Sequence, residues 1–128
     1  MRLLLDTAVL LWVSYDAPRL SPSARAAYAD PANERFVSVA SLWEVVVKNR
    51  LGKLPLPLPI DQLVEPLKRS GAVVILPLNE TAVLRLHSLP EVHRDPFDRM
   101  LVCQALDEGL TLVTPDATLA GYPVPILW

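Results

Sequence analysis

HRDPFDRMLVCQALDEGLTLVTPD, His93 to Asp116, is a helix followed by a strand, with acids near both outer ends. Asp95 reads as the helix N-cap and Pro96 as the first helical residue, since proline lacks the N–H that would go unsatisfied there anyway. The apolar pattern then runs to Gly109, a residue suited to stop a helix, and TLVT at 111–114 is the strand. A helix leading back into a parallel sheet begins at the edge where the strands finish. Asp98, in the first turn, and Asp116, just past TLVT, therefore belong to one edge. Asp98 has two explanations: a charge facing the positive end of the helix dipole, or a functional group that points inward because Asp95 already supplies the cap.

The same strand–helix alternation extends across the chain. LLL (3–5) precedes the apolar helix TAVLLWVS, and Ser21 with Pro22 starts a second helix, SPSARAAYAD. FVSV (36–39) is a short strand leading into SLWEVVVKNRL, which ends at Gly52. LPLPLPI (54–60) is an extended connector, because its prolines remove backbone donors. Asp61 is the expected cap of DQLVEPLKRS, shortened or kinked at Pro66. AVVIL is a strand, NETAVLRLHSL a helix, DATLAG a helical turn and PILW a last strand. Such alternation implies a single α/β domain over residues 1–128, with a mainly parallel central sheet flanked by helices and right-handed crossovers.

The 128 residues are 52% hydrophobic, enough for a real core. One cysteine, Cys103, excludes an intramolecular disulfide and a cysteine zinc cluster and fits a reducing, cytoplasmic setting. Met1 to Val13 is apolar but broken by Asp6, so it reads as strand plus helix rather than an export signal, and no run approaches the ~20 residues that span a bilayer. A net charge of −2 gives no global argument for nucleic-acid binding. Locally, KNRLGK groups Lys48, Arg50 and Lys53, and His93 adjoins Arg94. Cations at a helix C-terminus also need no further reason than the dipole.

Three strands are followed by acids: LLL by Asp6, FVSV by Glu44 in the next helix, and TLVT by Asp116. In a parallel sheet the strand carboxyl ends share an edge, and ligands sit in the crevice there. With Asp98, four carboxylates are expected to meet. Glu44 has a competing role, since Ser41-Leu-Trp-Glu44 matches a capping box; if Ser38 is the cap instead, Glu44 lies too deep in the helix for that. Clustered carboxylates repel one another unless a cation neutralises them. His87 and His93 have no i, i+4 partner and read as surface or packing residues, leaving hard oxygen ligands that favour Mg²⁺ or Mn²⁺. Phosphodiester hydrolysis is the reaction class such a site suits.

LLLDT (3–7), SLWEVVVKNRLGKL (41–54), HRDPFDRMLVCQA (93–105) and LVTPD (112–116), in this order, resemble PIN-domain ribonucleases, specifically the VapC-like toxins of bacterial toxin–antitoxin pairs. The resemblance spans nearly the whole chain. It implies a PIN fold, a Mg²⁺- or Mn²⁺-dependent endoribonuclease acting on RNA, a homodimer, and a cognate VapB-like antitoxin. It places the four family acids on Asp6, Glu44, Asp98 and Asp116, with Asp95 either the cap or a partner behind the ligands. Thr7 and Ser41 are hydroxyl candidates beside the metal site, or ordinary helix-start residues. Pro115 departs from the pattern, since many relatives carry a polar residue there, often asparagine.

Two other readings compete. A haloacid-dehalogenase-like phosphatase would use Asp6 as nucleophile, but it wants a second aspartate at position 8, which is alanine. A non-catalytic module would use the acidic cleft only to bind a basic segment. Trp12, Trp43 and Trp128, with the tail YPVPILW, either serve a dimer or antitoxin surface or pack in the core, and core packing is the expectation for most of them.

Overall fold

The computed structural model describes residues 1–128. Five strands form one sheet: β1 (Arg2–Leu5), β2 (Glu34–Ser38), β3 (Val74–Leu76), β4 (Thr111–Val113) and β5 (Ile126–Leu127). Their order is β3-β2-β1-β4-β5, and every neighbouring pair is parallel. The helices are α1 (Thr7–Tyr15), α2 (Pro22–Ala29), α3 (Val39–Arg50), α4 (Ile60–Arg69), α5 (Glu80–Arg85) and α6 (Pro96–Glu108), with short 3-10 turns at Ala17–Arg19 and Ala117–Gly121.

Alternation along the strands sorts the core into two layers, because successive side chains of a strand point to opposite faces. Leu4, Phe36 and Leu112 pack on one face with Met100 to Cys103 and Ala105 of α6 and Ala82 of α5. Leu3, Leu5, Val37 and Val113 pack on the other with Val9 and Leu10 of α1, Ala24 and Ala27 of α2 and Val64 of α4. Both faces are covered, which is the condition a parallel sheet requires. Within this order β1 is central, and the chain turns to β2 on one side of it and to β4 on the other. The crevice at the strand carboxyl ends therefore opens between β1 and β4. Leu5 pairs with Val37 and with Val113, so the three strand ends lie level.

Several local details differ from the sequence expectation. Pro59 caps α4 and Asp61 falls inside the first turn; proline's fixed φ, here −55°, lets the chain enter the helix one residue before any side-chain cap. Helix α5 closes at Arg85, after which His87, Ser88 and Leu89 make i→i−3 bonds in place of continued α-helix and bring Leu89 into the core. Trp43 is 59% exposed, edge-on to Phe97, and Trp128 is exposed as well, so the expectation that most tryptophans pack in the core fails. Trp12 is half-buried and tilted against Trp128.

Candidate active site

Asp6 is the first residue past β1, and it caps α1: its Oδ1 accepts from Val9 N at 2.8 Å. Its Oδ2 accepts from Thr114 Oγ1 at 2.5 Å, and the Thr114 hydroxyl oxygen in turn accepts from Asp116 N at 3.1 Å. One threonine thus links the acid after β1 to the acid after β4. Asp116 caps the following 3-10 turn through Thr118 N (3.0 Å), and Thr118 Oγ1 donates to the same oxygen at 2.6 Å. Those bonds fix Asp116 despite the proline before it.

Ser38, fully buried at the end of β2, caps α3 by accepting from Ala40 N, and its hydroxyl donates to Gln104 Oε1 of α6. Starting the helix there puts Glu44 six positions in, so the Ser41–Glu44 capping box does not form. Glu44 is instead 6% exposed and held at both oxygens: Oε1 accepts from Thr7 Oγ1 at 2.6 Å, and Oε2 accepts from Lys48 Nζ at 2.5 Å. Ser41 Oγ shares a 3.1 Å hydrogen bond with the same Thr7 hydroxyl.

Asp95 caps α6 as expected, accepting from Phe97 N (2.8 Å) and Asp98 N (3.3 Å). It also lies 3.6 Å from Lys48 Nζ. Asp98 projects from the first turn, and the basic side-chain nitrogen beside it is His93 Nε2 at 3.6 Å, beyond hydrogen-bond range. His93 Nε2 sits 3.0 Å from Asp116 Oδ2, while Asp95 N donates to His93 Nδ1 at 3.1 Å. Nδ1 therefore carries no proton, and Nε2–H donates to Asp116. The His93 loop is pinned because Tyr122 Oη accepts from both His93 N and Arg99.

Asp6, Thr7, Glu44, Asp95, Asp98 and Asp116 line one cleft of about 400 Å³, and Ser41 sits just behind it through Thr7. Burial raises the Asp6 pKa to about 6 against the lowering bonds from Thr114 and Val9, with the charges of Glu44 and Asp116 adding to the rise. Burial likewise takes Asp98 to about 7, helped by Asp95, Glu44 and Asp6 and opposed by His93. Asp116 is lowered, chiefly by the Thr118 hydroxyl bond. Burial pulls Lys48 down, but its bond to Glu44 and the surrounding carboxylates outweigh that and hold it above the ordinary lysine value.

Three residues that touch the cleft's acids were not legible as such. His93 is not a packing residue: its ring nitrogen and one carboxylate oxygen each of Asp98 and Asp116 lie within 4.8 Å of one another. No helical spacing announces this, because the three come from a loop, a helix start and a strand end. His87, by contrast, is exposed as expected. Lys48 belongs to the cleft rather than to a solvated helix end, and its i, i+4 spacing from Glu44 was the available signal. Thr114 had no signal beyond its place in TLVT.

The donor set tests well against a divalent cation. Hard oxygens converge beside one imidazole, and burial together with the neighbouring carboxylates raises the pKa of Asp6 and Asp98, a cost that a bound Mg²⁺ or Mn²⁺ would relieve.

Comparison with known proteins gives a consistent picture. The PIN domain family model matches residues 3–124. Ribonuclease VapC22 of Mycobacterium tuberculosis is 31% identical over 126 residues, covering 95% of this chain and 92% of that protein. Among solved structures, VapBC2 from Rickettsia felis bound to a promoter DNA fragment superposes with a TM-score of 0.68 at 15% identity, over 98% of this chain and 97% of that one. DNA-bound VapBC from Salmonella typhimurium gives 0.68 at 14% identity, over 98% and 96%. FitAcB from Neisseria gonorrhoeae gives 0.61 at 20%, over 97% and 95%. At these identities the structural likenesses speak for the fold alone.

Proposed function

Because the chain belongs to the PIN-domain family, we propose that it is a divalent-metal-dependent endoribonuclease and the toxin of a toxin–antitoxin pair. The observation that carries this reading is the meeting of Asp6, Glu44, Asp98 and Asp116, distant in sequence, in one cleft at the sheet's carboxyl edge. The VapC22 relative, a ribonuclease by name, supports RNA as substrate.

Asp6, Asp98 and Asp116 would hold the cation, with Glu44 contributing to the orientation of metal or water. When bound, Mg²⁺ or Mn²⁺ supplies a Lewis acid for a phosphoryl oxygen and lowers the pKa of water at the site. The chain's own residues prepare the geometry. Thr114 locks the Asp6 and Asp116 segments together, and Thr118 and His93 fix the two oxygens of Asp116. Lys48 and Thr7 occupy both oxygens of Glu44, which keeps that carboxylate an acceptor and orients it toward the cleft. Asp95 orders the helix start that presents Asp98.

The partner in this reading is a VapB-like antitoxin; the Rickettsia and Salmonella neighbours are VapBC complexes by title. An antitoxin arginine entering the carboxylate cluster would silence the nuclease by charge-assisted pairing. A homodimer and a cytoplasmic location belong to the same proposal, and no helix is long and apolar enough to cross a membrane.

The test is cleavage of RNA by the purified protein with Mg²⁺ or Mn²⁺, with and without chelator. Asp6→Asn and Asp98→Asn each remove a charged ligand at nearly constant volume. Cleavage is expected to stop in EDTA, to return when the cation is restored, and to fall at least about 100-fold in each variant with the far-UV spectrum unchanged. Full turnover in excess EDTA would refute metal dependence. Binding of a basic peptide with no cleavage under any condition would support the non-catalytic module.

A further inference from the structure

The carboxylates occupy only part of the cleft. Another part of its wall is built by α1 and the 3-10 turn that follows, which contribute Trp12, Tyr15 and Arg19. Trp12 and Tyr15 lie three apart on α1, and the chain breaks its helix at Asp16 before the 3-10 turn carries Arg19 back to the same wall. Arg19 lies over the Trp12 ring, its Cζ 4.7 Å from the centroid. The other neighbour of Trp12 is Trp128, with ring centroids 5.8 Å apart, so the indole is backed by a second aromatic and cannot swing away freely. Tyr15 is 42% exposed, and its hydroxyl enters no hydrogen bond within the chain.

Arg19 is unusual among the cleft cations. Lys48 is committed to Glu44 and Asp95, whereas Arg19 is exposed and forms no ion pair and no side-chain hydrogen bond, although the cleft it faces contains four aspartates and a glutamate. An arginine stacked on an indole with its donor edge unoccupied is suited to grip a phosphate. The same guanidinium plane and the neighbouring aromatic faces are suited to stack an unpaired base.

We infer that Trp12, Tyr15 and Arg19 form a subsite for single-stranded RNA, seating a nucleobase and the adjoining phosphate one step along the strand from the bond held at the carboxylates. The inference rests on the nuclease reading and deepens it. A strand whose phosphodiester reaches Asp6 and Asp98 must leave the cleft along one of its walls. Of these walls, the one carrying free positive charge and exposed aromatic surface complements a polyanion with unstacked bases. Base-paired RNA is not a match, because its bases present no free faces.

The test uses a 5′-fluorescein-labelled mixed-sequence single-stranded RNA, its duplex with the complementary strand, and bis(p-nitrophenyl) phosphate, a diester without a base. Binding of the labelled strand is followed by anisotropy and cleavage by gel, for the wild-type protein and for Arg19→Ala, Tyr15→Ala, Trp12→Leu and Arg19→Lys. Arg50→Ala removes an exposed cation outside the cleft and controls for general electrostatics. Single-strand affinity is expected to fall about tenfold in Arg19→Ala and in Trp12→Leu, with KM rising and kcat held. Hydrolysis of the small diester and the Mn²⁺ affinity should stay at wild-type values, duplex binding should be weak throughout, and Arg50→Ala should match the wild type. Arg19→Lys should not restore binding, since lysine keeps the charge and loses the stacking plane.

Trp12 also packs on the core. If Trp12→Leu fails to fold, the exposed positions Arg19 and Tyr15 decide the matter. Wild-type affinity for the single strand in both of their variants would overturn the subsite, and so would full rescue by Arg19→Lys. Variants that bind and cleave RNA normally but lose an antitoxin chain would also overturn it and assign the wall to a protein. The two readings fail separately: an affinity loss in protein that never cleaves RNA would sink the nuclease and leave the subsite standing, and cleavage indifferent to the wall would do the reverse.

Discussion

Asp98 carries the least compensated charge in the cleft: burial and three neighbouring carboxylates push its pKa to about 7, and His93 stands too far away for a hydrogen bond. The consequence for the cation-free protein has a definite sign. A carboxyl whose pKa rises on folding binds its proton more tightly in the folded chain, so its contribution to stability is complete below the ordinary value of 3.8 and is lost as the pH climbs to about 7. A rise from 3.8 to about 7 corresponds to about 4 kcal/mol at most. Because Asp6 shares the repulsion, roughly half of that is the expected effect of one substitution. Asp98→Asn should therefore raise the urea-denaturation stability of the cation-free protein by about 2 kcal/mol at pH 8, with less than half of that gain at pH 5, partway through the titration window. Equal pH dependence in wild type and variant would contradict the electrostatic reading. The four acids were legible in the sequence because strand ends and a helix start are readable landmarks. His93, Lys48 and Arg19 were not, because their importance comes from neighbours that only the folded chain supplies.

Asp6, Asp95, Asp98 and Asp116 reach the cleft from the start of a helical element and Glu44 from within α3, and those starts are built from short side chains. Asp6, Ser38, Asp95 and Asp116 all cap, so the same local chemistry that begins a helix also sets where a nearby carboxylate or hydroxyl points. In α3 this decides the outcome: with Ser38 as cap, Glu44 faces Thr7 across the cleft. Sequence left that choice open between Ser38 and Ser41, since both precede the apolar run. The buried bond from Ser38 to Gln104, sixty-six residues away, favours Ser38 and has no local signature. The far end of α6 behaves differently. Gly109 adopts φ +68°, and a Cβ there would meet nothing within 4 Å. Gly109→Ala should then cost only the left-handed backbone penalty, about 1 kcal/mol in denaturation, and leave RNA cleavage unchanged, because the thirteen-residue helix carries it ~20 Å from the catalytic end. A cost near zero, or a loss of cleavage, would show that this turn does something else.

At the scale of the whole molecule, the strand order β3-β2-β1-β4-β5 does the positioning. Leading the chain from β1 outward in both directions leaves a crevice where Asp6 and Asp116 stand side by side, bridged by Thr114. Alternating strands and helices made the parallel sheet and its flanking helices readable. Sequence could not give the wall opposite the carboxylates, because Trp12 and Trp128 meet only when the two ends of the chain fold onto one edge of the sheet. The central claim is that these acids form a single cation site, and calorimetric titration of the chelator-treated protein with Mn²⁺ tests it most directly. Expected is saturable binding at pH 8, much weaker at pH 5.5 where protons compete for Asp6 and Asp98, and lost in both Asp6→Asn and Asp98→Asn. Mn²⁺ binding with wild-type affinity in both folded variants, or none in the wild-type protein at pH 8, would contradict it.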